Sequence, residues 1–204
     1  RQLQIEQALG YYDQAMTSHQ ALGDQVGVEI ARSGLAATYL QAARYAEVIA
    51  PARQALRFFQ AMGDSFWTAL NASNLAEAYT DLGQWAEAEQ CGQLVLEQEA
   101  PHSHPYALFT LGRIRQQQAE WSAAELYLSQ ARKVAELNGD RYLLAYAWET
   151  LGQIYQASGK LAAAHDALTQ SHQLFQDLQI THKAQELAQQ LAKVDASAGN
   201  CEAS

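Results

Sequence analysis

The sequence predicts an all-α protein, a right-handed α-solenoid built from antiparallel helix pairs. Composition is the first reason: Pro and Gly account for only 3 and 12 of the 204 residues, and the chain is 49% hydrophobic. Such a composition favours helix over strand and allows a substantial core. The second reason is an internal repeat, because TLGQIYQASGKLAAAH from Thr150 copies the spacing of NLAEAYTDLGQWAEAE from Asn74. Repeats of this length indicate stacked helical units.

Four leucines mark the period, with spacings of 40, 36 and 40 residues: Leu35, Leu75, Leu111 and Leu151. Eight residues after each leucine comes a small residue: Ala43, Gly83, Ala119 and Gly159. Ten residues after each leucine comes a large apolar one: Tyr45, Trp85, Trp121 and Leu161. The pattern predicts a first helix, a tight turn at the small residue, and a second helix. Small residues further along let the paired helices approach closely.

This pattern resembles the tetratricopeptide repeat (TPR) family, whose LGxxYxxxGxxxxA motif matches Leu151, Gly152, Tyr155, Gly159 and Ala164. The resemblance covers nearly the whole chain. Single repeats depart from the motif at Ala36, Ala76, Arg115 and Val48. The period exceeds the 34 residues usual in the family, and it is similar to that of the long repeats in bacterial signalling ATPases and transcription regulators.

The period divides the chain into seven segments. We expect the second helix of a truncated leading repeat at 1–24, four full repeats at 25–64, 65–102, 103–140 and 141–180, a C-terminal cap helix at 181–195, and a flexible tail at 196–204. The sequence starts inside a repeat, which suggests that it was cut from something longer.

Local sequence signals mark the repeat boundaries. Gly-Asp pairs at 23–24, 63–64 and 139–140 supply a left-handed Gly after one helix and an Asp N-cap for the next. Between the second and third repeats, Pro101-His-Ser-His-Pro105 excludes helix. Pro51 falls inside a second helix, so that helix either adjusts locally or starts late. In the cap helix, the apolar residues at 187, 191 and 194 are expected inward, and Lys183 and Gln190 outward.

Charge and cysteine usage exclude several classes of protein. The formal charge of −9, with no Lys/Arg cluster, argues against nucleic-acid and anionic-membrane partners. A run of about 18 apolar residues, as a membrane span requires, is absent from the sequence. Cys91 and Cys201 lie far apart, which favours reduced thiols and a cytoplasmic location.

The sequence contains no phosphate-binding Gly-rich loop, no GxSxG and no HExxH motif. We therefore predict a protein that is not an enzyme, with no catalytic residues and no cofactor. His102 and His104 are two potential metal ligands, but a site needs three or four. We predict no metal site.

The TPR resemblance implies that the first helices line a concave groove that binds a partner. On this chain the groove would contain Asn74, Glu77, Asp81, Tyr106, Phe109, Arg113, Tyr146, Glu149 and Gln153. Aromatic side chains beside one Arg are typical of interface hot spots. Alternatively, Arg113 pairs with Glu77 or Glu149 and the aromatics pack within the stack. The carboxylate clamp of chaperone-binding TPR domains is not matched, because the clamp positions carry Ser33, Ala37, Asn74, Glu77 and Arg113.

The predicted function is a non-catalytic scaffold that binds a protein or peptide in this groove. One alternative is the sensor or regulatory segment of a larger bacterial signalling ATPase or transcription regulator. Another is self-association as a homo-oligomer through the terminal repeats, where Ile5, Tyr11 or Tyr12 would lie uncovered.

Overall fold

The computed structural model describes residues 2–100 and 103–202, and within them the side chains of 3–100 and 103–197. These residues form ten α-helices and contain no strand. In chain order they are α1 (Gln2–Ala21), α2 (Gln25–Gln41), α3 (Tyr45–Met62), α4 (Ser65–Asp81), α5 (Trp85–Glu97), α6 (His104–Gln117), α7 (Trp121–Asn138), α8 (Arg141–Ala157), α9 (Leu161–Asp177) and α10 (Thr181–Glu202). The all-α fold class is confirmed. We call α2, α4, α6 and α8 first helices, and α3, α5, α7 and α9 second helices.

The tight turn between first and second helix lies at the predicted small residue. Each has a positive φ, between 55° and 75°: Ala43, Gly83, Ala119 and Gly159. A left-handed backbone here reverses the chain within a few residues, so that consecutive helices run antiparallel. Gly adopts it without strain, whereas Ala carries a modest steric cost.

The Gly-Asp pairs also behave as predicted. Each Gly is left-handed, with φ between 68° and 72°: Gly23, Gly63 and Gly139. Each Asp carboxylate accepts a hydrogen bond of 2.9–3.0 Å from the backbone N–H three residues later: Asp24, Asp64 and Asp140. These caps fix the start of α2, α4 and α8, which is nine or ten residues before the aligned leucine.

The proline segments differ from expectation. The helix α3 begins at Tyr45 and continues through Pro51, so the option of a late start is wrong. Helix α6 begins at His104, with Pro105 in its first turn, where Pro is tolerated because that N–H has no partner within the helix. The prediction that His104 lies in a loop is therefore wrong, and His102 lies outside the described residues.

The last helix is longer than the predicted cap. Leu187 and Val194 are buried as expected. However, α10 continues to Glu202, through most of the segment that we assigned to a tail; the flexibility of that segment stays a prediction. The expected outward position of Lys183 is wrong, because its side chain is only 22% exposed. Gln190 is also half-buried rather than outward.

The chain forms two compact units, residues 1–110 and 111–204. In the first unit, each of α1 to α5 packs against the next, and α2 also contacts α4. In the second unit, α7, α8, α9 and α10 pack in the same consecutive manner. The contact between α2 and α4 places first helices of neighbouring repeats side by side.

The residue after each aligned leucine is where the two helices of a pair approach most closely. A Cβ built on Gly112 would lie 2.6 Å from Cγ of Leu128, and one on Gly152 would lie 2.7 Å from Cγ of Leu168. Both leucines are fully buried and occur sixteen residues after the glycine. At the same two register positions in the first unit, the pairs are Ala36 with Ala52 and Ala76 with Gly92. A large residue on one helix therefore coincides with Gly on the other.

We expect Gly152→Ala to lower the free energy of unfolding by about 1–3 kcal/mol, the usual range for an extra methyl group in a packed core. The reason is that the new Cβ meets Leu168. Urea unfolding followed by circular dichroism measures the change. Gly10→Ala is the matched control, because no atom lies within 4 Å of its Cβ position and Ala favours helix.

The double variant Gly152→Ala, Leu168→Ala recreates the Ala pair of the first unit. It should lose less stability than the two single variants added together. Additive losses, or equal midpoints for Gly152→Ala and Gly10→Ala, would contradict the steric explanation.

Candidate binding surface

One face of α4 changes chemically along its length. Its residues occur at helical spacing and span an arc of roughly 100°: Phe66, Leu70, Ser73, Asn74, Glu77 and Asp81. We call this set the α4 face. Phe66 is 58% exposed, and Glu77 and Asp81 are exposed. The helix buries the opposite side, including Leu75 and Tyr79. The α4 face is thus apolar at its start, amide and hydroxyl in the middle, and acidic at its end.

The middle of α4 contains buried polar atoms. Asn71 Nδ2 donates to Ser33 Oγ at 2.9 Å and to the Trp67 carbonyl at 2.8 Å, which ties α4 to α2. Ser73 Oγ and Asn74 Nδ2 are buried without a hydrogen-bond partner, and Asn74 is only 8% exposed. A buried polar group that lacks a partner costs about 1–3 kcal/mol. A bound molecule that supplies an acceptor would recover part of that cost.

Apolar side chains are also exposed on the other first helices of the first unit. Val26 and Ile30 of α2 are 39% and 38% exposed, and Tyr106 of α6 is 41% exposed. Phe109 is half-buried. Relative to the aligned leucines, Val26 shares a register position with Phe66, and Ile30 shares one with Leu70 and Tyr106.

In the second unit, α8 presents an aromatic and acidic face that is already occupied from within the chain. Lys183 Nζ lies 3.0 Å from Glu149 Oε1 and 5.5 Å from the centre of the Tyr146 ring. That ring also packs edge-on against Phe175, with 5.0 Å between ring centres. Glu149, only 6% exposed, therefore serves an internal ion pair, and Tyr146 packs within the stack as our alternative proposed.

The ion pair decides the charge state of Lys183. Burial on its own lowers the pKa of this ammonium group, but the hydrogen bonds and negative charges of Glu149 and Glu186 outweigh burial, and the net pKa is raised above its ordinary value. The ammonium form is thus favoured at neutral pH, where it neutralises the buried carboxylate.

The two units share the nine predicted groove residues. Asn74, Glu77, Asp81, Tyr106 and Phe109 belong to the first unit, and Arg113, Tyr146, Glu149 and Gln153 to the second. The structure brings Asn74, Glu77 and Asp81 together on the α4 face, and brings Tyr146 and Glu149 together around Lys183. Gln153 Oε1 accepts a bond of 3.2 Å from Gln116 Nε2, and Arg113 is half-buried. A single groove through all nine residues stays a prediction.

The sequence analysis missed Val26, Phe66 and Tyr142, which lie nine residues before their aligned leucines. Tyr142 is 51% exposed. The signal was present, because the Gly-Asp caps place the helix starts early enough for a further exposed turn. It also missed Lys183, since the outward pattern of the cap helix contained no hint of a buried carboxylate on α8.

Other candidate chemistry is weak in the part of the chain that the structure describes. No group of three or more His, Cys, Asp or Glu residues there could hold a metal ion. His104 Nε2 donates to the Gln98 carbonyl at 3.0 Å. Burial raises the pKa of the Cys91 thiol to about 11, so the reactive thiolate is scarce at neutral pH. None of the described helices is long and apolar enough to cross a membrane.

Comparison with solved structures identifies the repeat. The crystal structure of BtubC (BKLC) from P. vanneervenii has a TM-score of 0.67 to this chain at 16% identity, covering 96% of this chain and 92% of that one. The fold is a TPR-like repeat. Two crystal structures of a Podosopora anserina putative kinesin light chain with nearly identical TPR-like repeats have TM-scores of 0.62 and 0.59 at 17% identity, each covering 86% of this chain and 89% of that one.

The sequence itself is more distant from known proteins. No protein-family model matches it, and no curated protein matches it significantly. At 16–17% identity the structural similarity establishes the fold alone, so the function has to be argued from the surface of the repeats.

We expect Lys183→Met to destabilise the chain by about 1–3 kcal/mol, because it leaves the Glu149 carboxylate buried without its cation. Since the folded pKa of Lys183 is raised, its contribution is complete below the ordinary pKa of 10.5 and is lost as the pH rises through the raised value. Thermal unfolding at pH 7 and at pH 11.5 measures both effects.

Lys193→Met, an identical substitution at an exposed position of α10, is the control. A Lys183 variant as stable as the Lys193 variant at pH 7, or a difference between them that persists undiminished at pH 11.5, would rule out this role for the ion pair.

Proposed function

We propose that the chain is a non-catalytic scaffold that binds a protein or peptide segment on the exposed faces of its first helices. The observation that supports this most strongly is the recurrence of exposed apolar side chains at the same register. They are 38–58% exposed: Val26, Ile30, Phe66, Tyr106 and Tyr142. Since helix stacking buries the opposite sides of these helices, their recurrence on the outer side is unnecessary for the fold.

The side chains on these faces suit recognition. Phe and Tyr supply large contact areas at a low entropic cost, because they have few rotatable bonds. Beside them, Asn74 supplies a buried amide donor without an internal acceptor. Apolar anchors with a small number of polar groups are typical of peptide-binding surfaces.

Stacked-repeat folds commonly present extended binding surfaces of this kind, which is consistent with a scaffold and with a partner that is a protein. We also propose a cytoplasmic location, because Cys91 is a free thiol and disulfides are rare in that compartment. A regulatory or signalling role stays a prediction.

The test starts from peptide display. A random library of 12-residue peptides is selected on the immobilised chain, and the affinity of the enriched peptides is measured by fluorescence anisotropy. We expect the double variant Ile30→Ser, Phe66→Ser to bind at least tenfold more weakly, because it removes two exposed apolar anchors.

Met62→Ser, Leu82→Ser is the matched control, since these residues are 56% and 40% exposed but lie off the α4 face. It should retain wild-type affinity, and circular dichroism should show equal helicity for both variants. Failure to enrich any peptide, or equal losses in the two variants, would reject binding at the first-helix faces.

Self-association is a second candidate, favoured by the surface of α1. Leu3, Tyr11 and Leu22 are 69–81% exposed, as large as any exposure of an apolar side chain in the described residues. The predicted exposure of Tyr12 is only partial, because its ring lies against Gly34 of α2. Apolar surface of this kind can mark a protein interface.

If α1 mediates a homodimer, light scattering from about 5 to 500 μM should show a concentration-dependent rise in mass, and Leu3→Ser, Tyr11→Ser should abolish it. Loss of helicity in the variant would be visible by circular dichroism. A constant monomer mass across the series would eliminate this candidate.

A further inference from the structure

We propose that the segment bound on the α4 face is a Lys- or Arg-rich protein segment that also contains an apolar anchor residue. This inference rests on the proposed function, because it names the chemistry of the partner for the same surface. It is carried by the distribution of charge, by the order of side chains along the α4 face, and by a lysine that the chain binds internally in the same manner.

Negative charge is concentrated in the first unit. Residues 1–110 contain twelve acidic and five basic residues, a formal charge of −7, whereas residues 111–204 contain ten and eight, a charge of −2. Between residues 58 and 112 there are seven acidic residues and no Lys or Arg. The negative potential of this unit attracts a cationic segment, accelerates its association and repels acidic segments.

The order of groups along α4 turns this charge into a specific arrangement. Phe66, near the start, offers the apolar contact, and Glu77 and Asp81 lie in the last two turns. The helix dipole places additional negative potential at the carboxyl end of a helix, where cations are favoured. An apolar anchor is therefore accommodated at one end of the face and a cation at the other.

An acceptor is needed between these two ends. Asn74 Nδ2 lies on the same face, is buried, and has no partner within the chain. A backbone carbonyl of a bound segment is a suitable acceptor, because every residue of the segment has one whatever its side chain. This donor would fix the position of the segment between the apolar and acidic ends.

The spacing sets a sequence requirement for the partner. Phe66 and Glu77 are eleven residues apart, which is about 16 Å along a helix axis. An extended chain covers that distance in about five residues, and it reaches the level of Asp81 in about seven. The bound segment should thus contain a basic residue about five to seven positions from its apolar anchor.

The second unit shows that a first helix of this chain can bind a lysine. On α8, Tyr146 and Glu149 together hold Lys183, the ring by a cation–π contact and the carboxylate by an ion pair. In the register of the repeats, Tyr146 corresponds to Leu70, and Glu149 to Ser73. The α4 face has its carboxylates further along the helix, so the cation would lie closer to the carboxyl end.

The experiment sequences the peptides enriched by display on the whole chain and compares their net charge with that of the unselected library. We expect a positive mean net charge, with Lys or Arg five to seven positions from an aromatic or aliphatic residue. Raising NaCl from 50 to 300 mM should weaken binding of these peptides at least fivefold, because salt screens exposed charges.

Glu77→Gln, Asp81→Asn tests the position of the cation with nearly isosteric side chains. We expect at least tenfold weaker binding of the basic peptides. Glu87→Gln, Glu97→Gln is the control, because it removes the same charge from exposed positions on α5 and should change affinity less than threefold. Circular dichroism and an unfolding midpoint verify that each variant remains folded.

The possible results separate the two proposals. Enriched peptides that are neutral or acidic, yet lose affinity for Ile30→Ser, Phe66→Ser, would overturn the inference and keep the proposed function. Equal effects of the α4 and α5 variants would also overturn it. If no peptide is enriched, both proposals fail.

Discussion

The structure depends on how closely the two helices of each pair can approach. At the residue after the aligned leucine there is room for only one sizeable side chain between the helices, and the chain divides that room differently in its repeats. In the second unit Gly112 and Gly152 accommodate Leu128 and Leu168; at the same register in the first unit, all four residues are Ala or Gly. Core packing tolerates such exchanges when total volume is maintained.

This constraint concerns only the inner side of each first helix, so the outer side can vary without cost to the fold. The α4 face illustrates this: Leu75 and Tyr79 are buried, whereas Phe66, Glu77 and Asp81 on the other side are exposed. Because stacking places first helices side by side, as with α2 and α4, variable side chains collect on one surface within the unit. A repeat fold can thereby change its partner while its core is preserved.

The sequence predicted the helices and turns well because their determinants are local. A Gly or Ala in the left-handed turn and an Asp N-cap act within three or four residues, and both were found where the sequence placed them. The surface was predicted less well, because it depends on distant residues. Glu149 was expected to face a ligand, but Lys183, 34 residues later, pairs with it. No local pattern contains that information.

That internal ion pair also bears on recognition. A carboxylate that is only 6% exposed is stable because Lys183 reaches it with its charge and hydrogen-bond donors, which compensate for the loss of water. The same physical requirement applies to a carboxylate that becomes buried when a partner binds: the partner must supply the cation. On the α4 face the carboxylates lie beside an exposed aromatic ring, so a partner that covers the ring also desolvates the acids. A basic residue near an apolar anchor meets both requirements, and a neutral segment meets only one.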